Sequence, residues 1–537
     1  MKTYLKSIFL PLLFGLVAFS AWAAGLMPDG AASLSVLAVG AISFSQIPSN
    51  VRVPLFYAEM DNSQAGYFTQ AQRTLLIGQK LAAGTAAANT PLLVSRVDEA
   101  KTLFGVGSML ARMHEIYRKN DSFAEIWCIA LDDAGAGTAA TGTVAITGPA
   151  TAGGTLSLYI AGQRVQVAVA AADTASAVAT ALAAAITAAV DLPVTASANT
   201  GTVTLTARHK GSLGNDIKLQ LNYRGNLGGE ATPAGLAVVI TAMSGGATDP
   251  SLTAAITAMG DEEYDFVIHP YTDTTSLDAI GTELNDVTGR WAWDRQVYGH
   301  AYTAKRDTLG NLVTLGTARN DQHHTIAGFE VDVPNPAWEY AAAYGARNAK
   351  FIAIDPARPT QTGELVGILP ARAGSRFLLT ERQTLLNSGI ATSYVGGGTV
   401  RIERAITTYQ KNSWNQADPS YLDSETLHTS AYVIRKLRYV VTQKYPRHKV
   451  ANDGTRFGAG QAIVTPNVIR GEMIAAYAEM EELGIVENAK AFAEHLIVER
   501  DAVDPNRVNV LYPADYVNQL RVFALLNQFR LQYPAAA

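Results

Sequence analysis

Between Ala134 and Leu205 the only charged residues are Arg164, Asp173 and Asp191. Almost everything else there is Ala, Thr, Gly or Val. The stretch is nonetheless periodic, and that separates it from a disordered one. Leu156, Leu158 and Ile160 alternate, as do Val165, Val167 and Val169, then Val203, Leu205 and Ala207, then Ile217, Leu219 and Leu221. Period two is the mark of a strand with one buried face. Thr174 is placed to cap a helix whose Val178, Leu182, Ile186 and Val190 fall four apart on one face. These signals predict a small β-β-α-β-β module over residues 135–245. Patterns of a different kind lie on both sides, so the body it interrupts is discontinuous.

On the near side, Arg73–Gln79 and Glu125–Leu131 read as apolar strands, and Cys128 lies in the second as a buried thiol. Between them, 98–104 and 108–119 read as helices, the latter with Met109, Met113 and Ile116 on one face. On the far side, 250–259, 275–288, 336–344 and 376–387 read as helices, and 264–269, 312–317 and 351–355 as strands. Strands alternating with helices need crossover connections and a largely parallel sheet. After residue 400 the pattern changes to a strand over 400–409, helices over 426–445 and 466–483, and alternating runs over 507–511 and 520–531. The expected fold is α/β and multidomain. Its parts are a discontinuous α/β body (66–134 and 246–399), the inserted small α+β module, an α+β C-terminal domain (400–537) and extended terminal arms.

The N-terminal arm, 41–65, holds Val51, Val53 and Leu55 alternating around Arg52 and Pro54. Proline removes a ladder donor, which makes this an edge or arm strand. Ahead of it, residues 1–40 are leader-like. Lys2 and Lys6 precede an apolar run over 8–19, and Ala21-Trp22-Ala23 follows. That is the layout of a secretory signal peptide, too short for a membrane span. It is read either as an export signal or as a non-native leader, and no stable membrane insertion is expected.

Composition removes several function classes. The net charge of -5 supplies no basic field for nucleic acid. Charged residues are only 17%, low for a soluble surface that no partner covers. One cysteine allows no internal disulfide and no CxxC metal site. The basic clusters Arg435-Lys436-Arg438 and Lys444-Tyr445-Pro446-Arg447-His448-Lys449 lie in an otherwise acidic chain, and salt bridges to a neighbouring subunit explain them as well as nucleic acid does. His323-His324 reads as a loop pair near Asp321. There is no G-x-S-x-G elbow, and Gly374-Ser375-Arg376 has no matching base. Glu381 and Glu403 show no acid/base pairing pattern. Gly396-Gly397-Gly398 reads as a turn, and Lys210-Gly211-Ser212-Leu213-Gly214-Asn215 as a tight turn without phosphate-loop spacing. Asp132, His269 and Asp355 follow predicted strands, where ligands bind in parallel sheets. A metal-dependent hydrolase built on them needs all three to converge. Neither a catalytic residue, a cofactor nor a metal is expected.

Five segments together resemble the Mu-like contractile phage tail sheath proteins. They are ISFSQIPSNVRVPLFYAEMDNSQA (42–65), RTLLIGQ (73–79), ARHKGSLGNDIKL (207–219), DPSYLDSETLHTSAYVIRKLR (418–438) and VNVLYPADYVNQLRVFALLNQFRLQY (508–533). The resemblance spans about 41–537. It implies a structural subunit that polymerises as stacked hexameric rings around an inner tail tube, and contracts to drive the tube through a cell envelope. Terminal arms would add strands to neighbouring subunits through Val51, Val53 and Leu55 at one end and Leu520, Val522 and Phe523 at the other. Flexible joints are expected over 61–67 and 501–506. The implied partners are further copies of the chain, the tube protein, the baseplate and the tail terminator, with no direct nucleic acid. The implied location is a virion tail assembled in the host cytoplasm. The same chain also suits a bacterial contractile injection system or tailocin, and a real leader would instead suit a secreted surface protein.

Overall fold

The computed structural model describes residues 72–458 and 460–532. The arm residues Val51, Val53 and Leu55, the leader-like segment and the joint at 61–67 lie outside the described residues.

The body begins with β1 (Arg73–Gln79), β2 (Pro91–Leu93), α1 (Val97–Phe104), α2 (Met109–Asn120) and β3 (Glu125–Leu131). Ser108 starts α2 by accepting the Ala111 amide on its hydroxyl at 3.2 Å. The apolar stripe of α2 is buried as its spacing requires, with Met109, Met113 and Ile116 at most 2% exposed. Residues of β1 pair with β3 in parallel, from Arg73 opposite Glu125 to Gln79 opposite Leu131.

The inserted module contains β4 (Ala139–Thr147), β5 (Gly154–Ile160), β6 (Gln163–Val169), α3 (Ala175–Ala188), β7 (Val194–Asn199), β8 (Thr202–Lys210), β9 (Leu219–Leu221) and β10 (Ala237–Ser244). They form a four-stranded sheet, β10-β4-β8-β7, and a three-stranded sheet, β6-β5-β9. The expected β-β-α-β-β unit is therefore too small by three strands. The strands not anticipated are β4, β7 and β10. In β7 (VTASAN) hydropathy contrast is slight, in β4 the inward positions begin with the small residues Ala140 and Gly142, and in β10 (AVVITAMS) apolar residues stand side by side without alternating. The helix forms as expected, with the Thr174 hydroxyl accepting the Ala177 amide at 3.2 Å and Val178, Leu182 and Ile186 buried. Val190 lies past its end and is exposed.

The body resumes with α4 (Thr253–Met259), β11 (Phe266–Ile268), α5 (Thr274–Leu284), β12 (His300–Arg306), α6 (Leu309–Thr317), β13 (His324–Phe329), α7 (Ala337–Ile354) and α8 (Leu379–Asn387). One six-stranded sheet, β13-β12-β11-β1-β3-β2, joins strands from both sides of the insertion. It is parallel except for the edge strand β2.

Two expected strands are helical. Residues 312–317 lie in α6, where Leu312 is buried with Leu277, Ile326, Leu385 and Ile390. Gly316 explains how closely α6 packs, because a Cβ there would lie 2.0 Å from the Ser388 carbonyl oxygen. Residues 351–355 are the last turn of α7 and its cap, so Asp355 ends a helix rather than a strand. The apolar run Phe351-Ile352-Ala353-Ile354 has strand propensity, but it continues an Ala-rich helix packed on the sheet. A Cβ on Gly345 of α7 would meet the Ile268 side chain at 2.3 Å. Conversely, β12 and β13 have no strong strand signal. Their burial comes from the layers on either side, with Ala301, Tyr302, Ala304, Ile326 and Ala327 all inaccessible.

The C-terminal region holds the hairpin β14 (Thr392–Gly396) and β15 (Thr399–Arg404), then α9 (Ser424–Lys444), the short parallel pair β16 (Lys449–Val450) and β17 (Ile463–Val464), α10 (Pro466–Glu482), α11 (Ala489–His495), and the antiparallel hairpin β18 (Ile497–Arg500) and β19 (Val508–Leu511). The first hairpin is shorter than the strand expected over 400–409. No strand forms over 520–531, where an alternating run predicted one. Residues 501–506 are the closed loop of the last hairpin rather than a flexible joint. The Asp501 carboxylate accepts the Val503 and Asp504 amides at 2.8 and 2.9 Å and the Asn509 side chain at 2.8 Å.

A buried ion pair ties the body together across its discontinuity. Arg112 of α2 donates to Glu339 of α7 at 2.9 and 3.0 Å, and the Glu339 side chain is 1% exposed. Burial by itself lowers the Arg112 pKa. Attraction and hydrogen bonds to Glu339 and Glu115 more than offset this and raise it above the usual arginine value.

Candidate functional site

The region after β19 is organised by a small aromatic core. Tyr477 of α10 and Phe492 of α11 stack at 3.8 Å between centroids, with Tyr512 edge-on to Phe492 at 4.7 Å. Leu496 and Val498 join this cluster, so one side of β18 packs on the helices while Ile497 stays exposed. The Tyr477 hydroxyl donates to the Glu487 carbonyl at 2.6 Å and accepts the Asp515 amide at 3.1 Å. It thereby holds the chain as it leaves the hairpin. Tyr516 then bridges to Val486, and the Val517 amide reaches the Ile485 carbonyl at 3.2 Å.

The last attachments are polar. Gln519 donates to the Ala357 carbonyl at 3.0 Å. The Arg521 guanidinium reaches the carboxylates of Glu425 at 3.0 Å and Asp423 at 3.2 Å, and its side chain is only 9% exposed. Asp423, Gln519 and Arg521 line a cavity of about 420 Å³ with Arg404, Tyr516 and Thr429.

Beyond Arg521 the chain changes character. Residues 522–532 form no helix or strand, and every one is exposed. Phe523 and Leu531 are 80% and 98% exposed. The predicted contact residues Leu520 and Val522 are also largely exposed. A tail this apolar is left in water, and the two-stranded hairpin that precedes it has outer edges that pair with no other strand among the described residues.

The other candidates resolve into structural partners. Asp132 pairs with Lys80 at 3.0 Å, the Asp355 carboxylate accepts the Ala357 amide at 3.0 Å, and His269 Nε2 lies 3.0 Å from His324 Nε2. The three residues of the hydrolase reading thus have separate tasks. Among the described residues no group of three His, Cys, Asp or Glu is placed to hold a metal ion. His324 begins β13 rather than sitting in a loop, and His323 pairs with Asp286 at 2.8 Å. Burial holds the His269 and His300 imidazoles well below the ordinary histidine pKa, and neighbouring imidazoles push the same way. Burial raises the Cys128 thiol far out of the reactive range. Glu381 accepts the Leu378 amide at 2.7 Å, and Glu403 pairs with Arg382 at 2.9 Å. Ser375 ends a short 3-10 turn.

Four cations of the basic clusters have partners within the chain. Arg435 and Arg438 pair with Glu263 at 3.0 and 3.5 Å, Lys436 with Glu479 at 2.8 Å and Lys444 with Glu472 at 2.7 Å, all within one chain. The 210–215 turn is a staple where the insertion rejoins the body. Asn215 exchanges two 2.8 Å bonds with Gly246, and Asp249 accepts the Ser212 amide at 2.7 Å.

Comparison with known proteins decides the family. The chain is 45% identical over 493 residues, 91% of its length, to the whole of the Mu-like prophage FluMu tail sheath protein of Haemophilus influenzae. It belongs to the phage tail sheath family. Three sheath domain models match in order: the β-sandwich domain at 135–246, the central domain at 245–408 and the C-terminal domain at 416–530. A solved sheath tail protein from Desulfitobacterium hafniense is 10% identical with a TM-score of 0.48, covering 87% of this chain and 97% of that one. The contracted helical sheath of the anti-feeding prophage is 11% identical with a TM-score of 0.44, covering 90% and 100%. A tail sheath protein is structural and not an enzyme, and no helix among the described residues is long and apolar enough to cross a membrane. Gln519, Asp423, Glu425 and Arg521 lie in two of the segments that carry the resemblance, but nothing in the sequence shows that they meet.

Proposed function

We propose that this sheath protein polymerises by strand exchange into stacked hexameric rings around an inner tail tube, and that contraction of this lattice drives the tube through a cell envelope. One observation carries the reading: in a tail sheath protein, a long apolar C-terminal segment leaves the folded domain and stays exposed. Exposed apolar surface on this scale marks an interaction site. Extended segments bind by β-augmentation, in which backbone bonds supply strength and alternate side chains supply register. Val51, Val53 and Leu55 would pair from the N-terminal arm, and Leu520, Val522 and Phe523 from the C-terminal tail. The β18–β19 hairpin is a suitable acceptor, since two strands alone are marginal and further strands would complete a sheet. Exchange along a helix makes heterologous contacts, so small gains per subunit add up along the lattice. Tube, baseplate and terminator proteins are the further partners, with assembly in the host cytoplasm before incorporation into the tail.

The test is negative-stain electron microscopy of the chain expressed from Ala41, beside a deletion of residues 42–57. Striated hollow tubes are expected from the first, and soluble subunits from the second. Normal tubes from the deletion would sink the arm assignment.

A further inference from the structure

We infer that Arg521 is a positioning clamp that fixes where the donated strand begins, limiting exchange to the residues after it and setting their register. The inference rests on the strand-exchange reading and narrows it. Leu520, though exposed, belongs to the root of the tail and not to the donated strand.

The clamp is a closed set of charges. Arg521 meets Glu425 at 3.0 Å and Asp423 at 3.2 Å, and Asp423 is also held by Arg404 through two 2.8 Å bonds. The Glu425 side chain is fully buried and further accepts the Thr360 amide and hydroxyl at 3.0 and 2.9 Å. Two guanidinium groups thus face two carboxylates, with no charge left over. Both carboxylates are reached by the Nη2 of Arg521, and the guanidinium keeps its charge in this buried site more readily than a strongly hydrated lysine ammonium. Gln361 adds a second hold, donating to the Leu520 carbonyl and accepting from Arg521, both at 3.4 Å. Immediately after this, residues 522–532 are all exposed. A charged side chain held at 9% exposure, one position before a wholly exposed run rich in apolar residues, marks a boundary between chain the subunit keeps and chain it offers.

The boundary also sets side-chain parity. Successive residues of a strand face opposite ways. Counting from Arg521, one face carries Phe523, Leu525, Phe529 and Leu531, broken once by Asn527. The other carries Val522 and Leu526 but turns polar at Gln528, Arg530 and Gln532. The first face is the one that enters a neighbour's core. A slip of one residue would reverse it, which is what a fixed root prevents. Eleven residues at ~3.3 Å each reach roughly 36 Å from the clamp.

The experiment uses the full chain with Arg521→Met, Arg521→Lys, Leu525→Asp and Gln528→Asp, and a chain ending at Arg521. Hydrogen exchange on dissociated subunits reads the clamp without exchange being involved. Arg521→Met should speed exchange over 512–521 by ~10-fold or more, with β1 and β3 unchanged and Arg521→Lys in between. In assembly, Arg521→Met should give irregular polymers or none. Unchanged exchange, or regular striated tubes despite faster exchange, overturns the clamp. Leu525 and Gln528 are exposed, so their variants test parity without risk to folding. Leu525→Asp should block tubes and Gln528→Asp should not, and the reverse pattern overturns the register. Tubes from the chain ending at Arg521 would defeat strand exchange by this tail, and the clamp's part in it, whereas the hydrogen-exchange result would still report the clamp's structural hold.

Discussion

Ending the chain at Arg521 separates what the tail does for the subunit from what it does for the assembly. The truncation removes Val522, Phe523, Leu525, Leu526, Phe529 and Leu531, which are 77% to 98% exposed in the subunit. Side chains already in water contribute little to folding, so subunit stability should change by no more than ~0.5 kcal/mol. Buried in a neighbour, the four on the inward face, Phe523, Leu525, Phe529 and Leu531, would contribute ~1.5–3 kcal/mol each, or roughly 6–12 kcal/mol in all before costs. Association and ordering oppose this by ~4–15 kcal/mol, so the tail's burial is large enough to decide whether a subunit joins. The assay pairs urea unfolding of dissociated subunits with sedimentation and electron microscopy of polymerising samples. The expected result is an unchanged unfolding midpoint with no tubes. A loss of more than ~2 kcal/mol in the subunit would show that the tail is part of its own fold, and normal tubes would show that its burial is not needed.

Removing Glu339 should expose the cost of the buried pair between α2 and α7. Glu339→Ala leaves Arg112 with Glu115 alone and should destabilise the subunit by ~3–5 kcal/mol in urea unfolding, and a loss below ~1 kcal/mol would contradict the structure. Gly316→Ala forces a methyl group against the Ser388 carbonyl and should cost ~1–3 kcal/mol by the same assay, whereas a neutral result would mean α6 is not packed as described. Burial depresses the folded-state pKa of His114 and of His428 from 6.5 to about 4. The unfolded chain therefore binds more protons between these values, and stability is present above pH 6.5 and falls as pH drops towards 4. Each group accounts for about 3 kcal/mol of that loss. Denaturant midpoints that stay level across this window would show that these imidazoles are not buried.

The strands β1 and β3 were legible residue for residue because they are apolar runs bounded by polar ones, and central strands need both faces buried. Helix α2 and helix α3 were legible because their stripes and caps are local. By itself the sequence also determined the interruption of the body, through the abrupt loss of charge after Ala134, and it carried the family signature in its terminal and C-terminal segments. It did not determine β12, β13 or the helical state of 309–317 and 351–354. In those places the local preference is weak or points the wrong way, and the layers packed above and below choose the conformation. Nor could it show which charges are internal. Arg435 and Lys436 stand together in sequence, and only the fold brings Glu263, Asp265 and Glu479 to them. The same holds for Arg521. An arginine within an apolar run looks like an ordinary break in the pattern until α9 places Asp423 and Glu425 under it. Local periodicity is written along the chain, whereas the pairing of charges and the point at which a chain leaves its own core depend on residues far away in sequence, as Asp265 is 170 positions from Arg435.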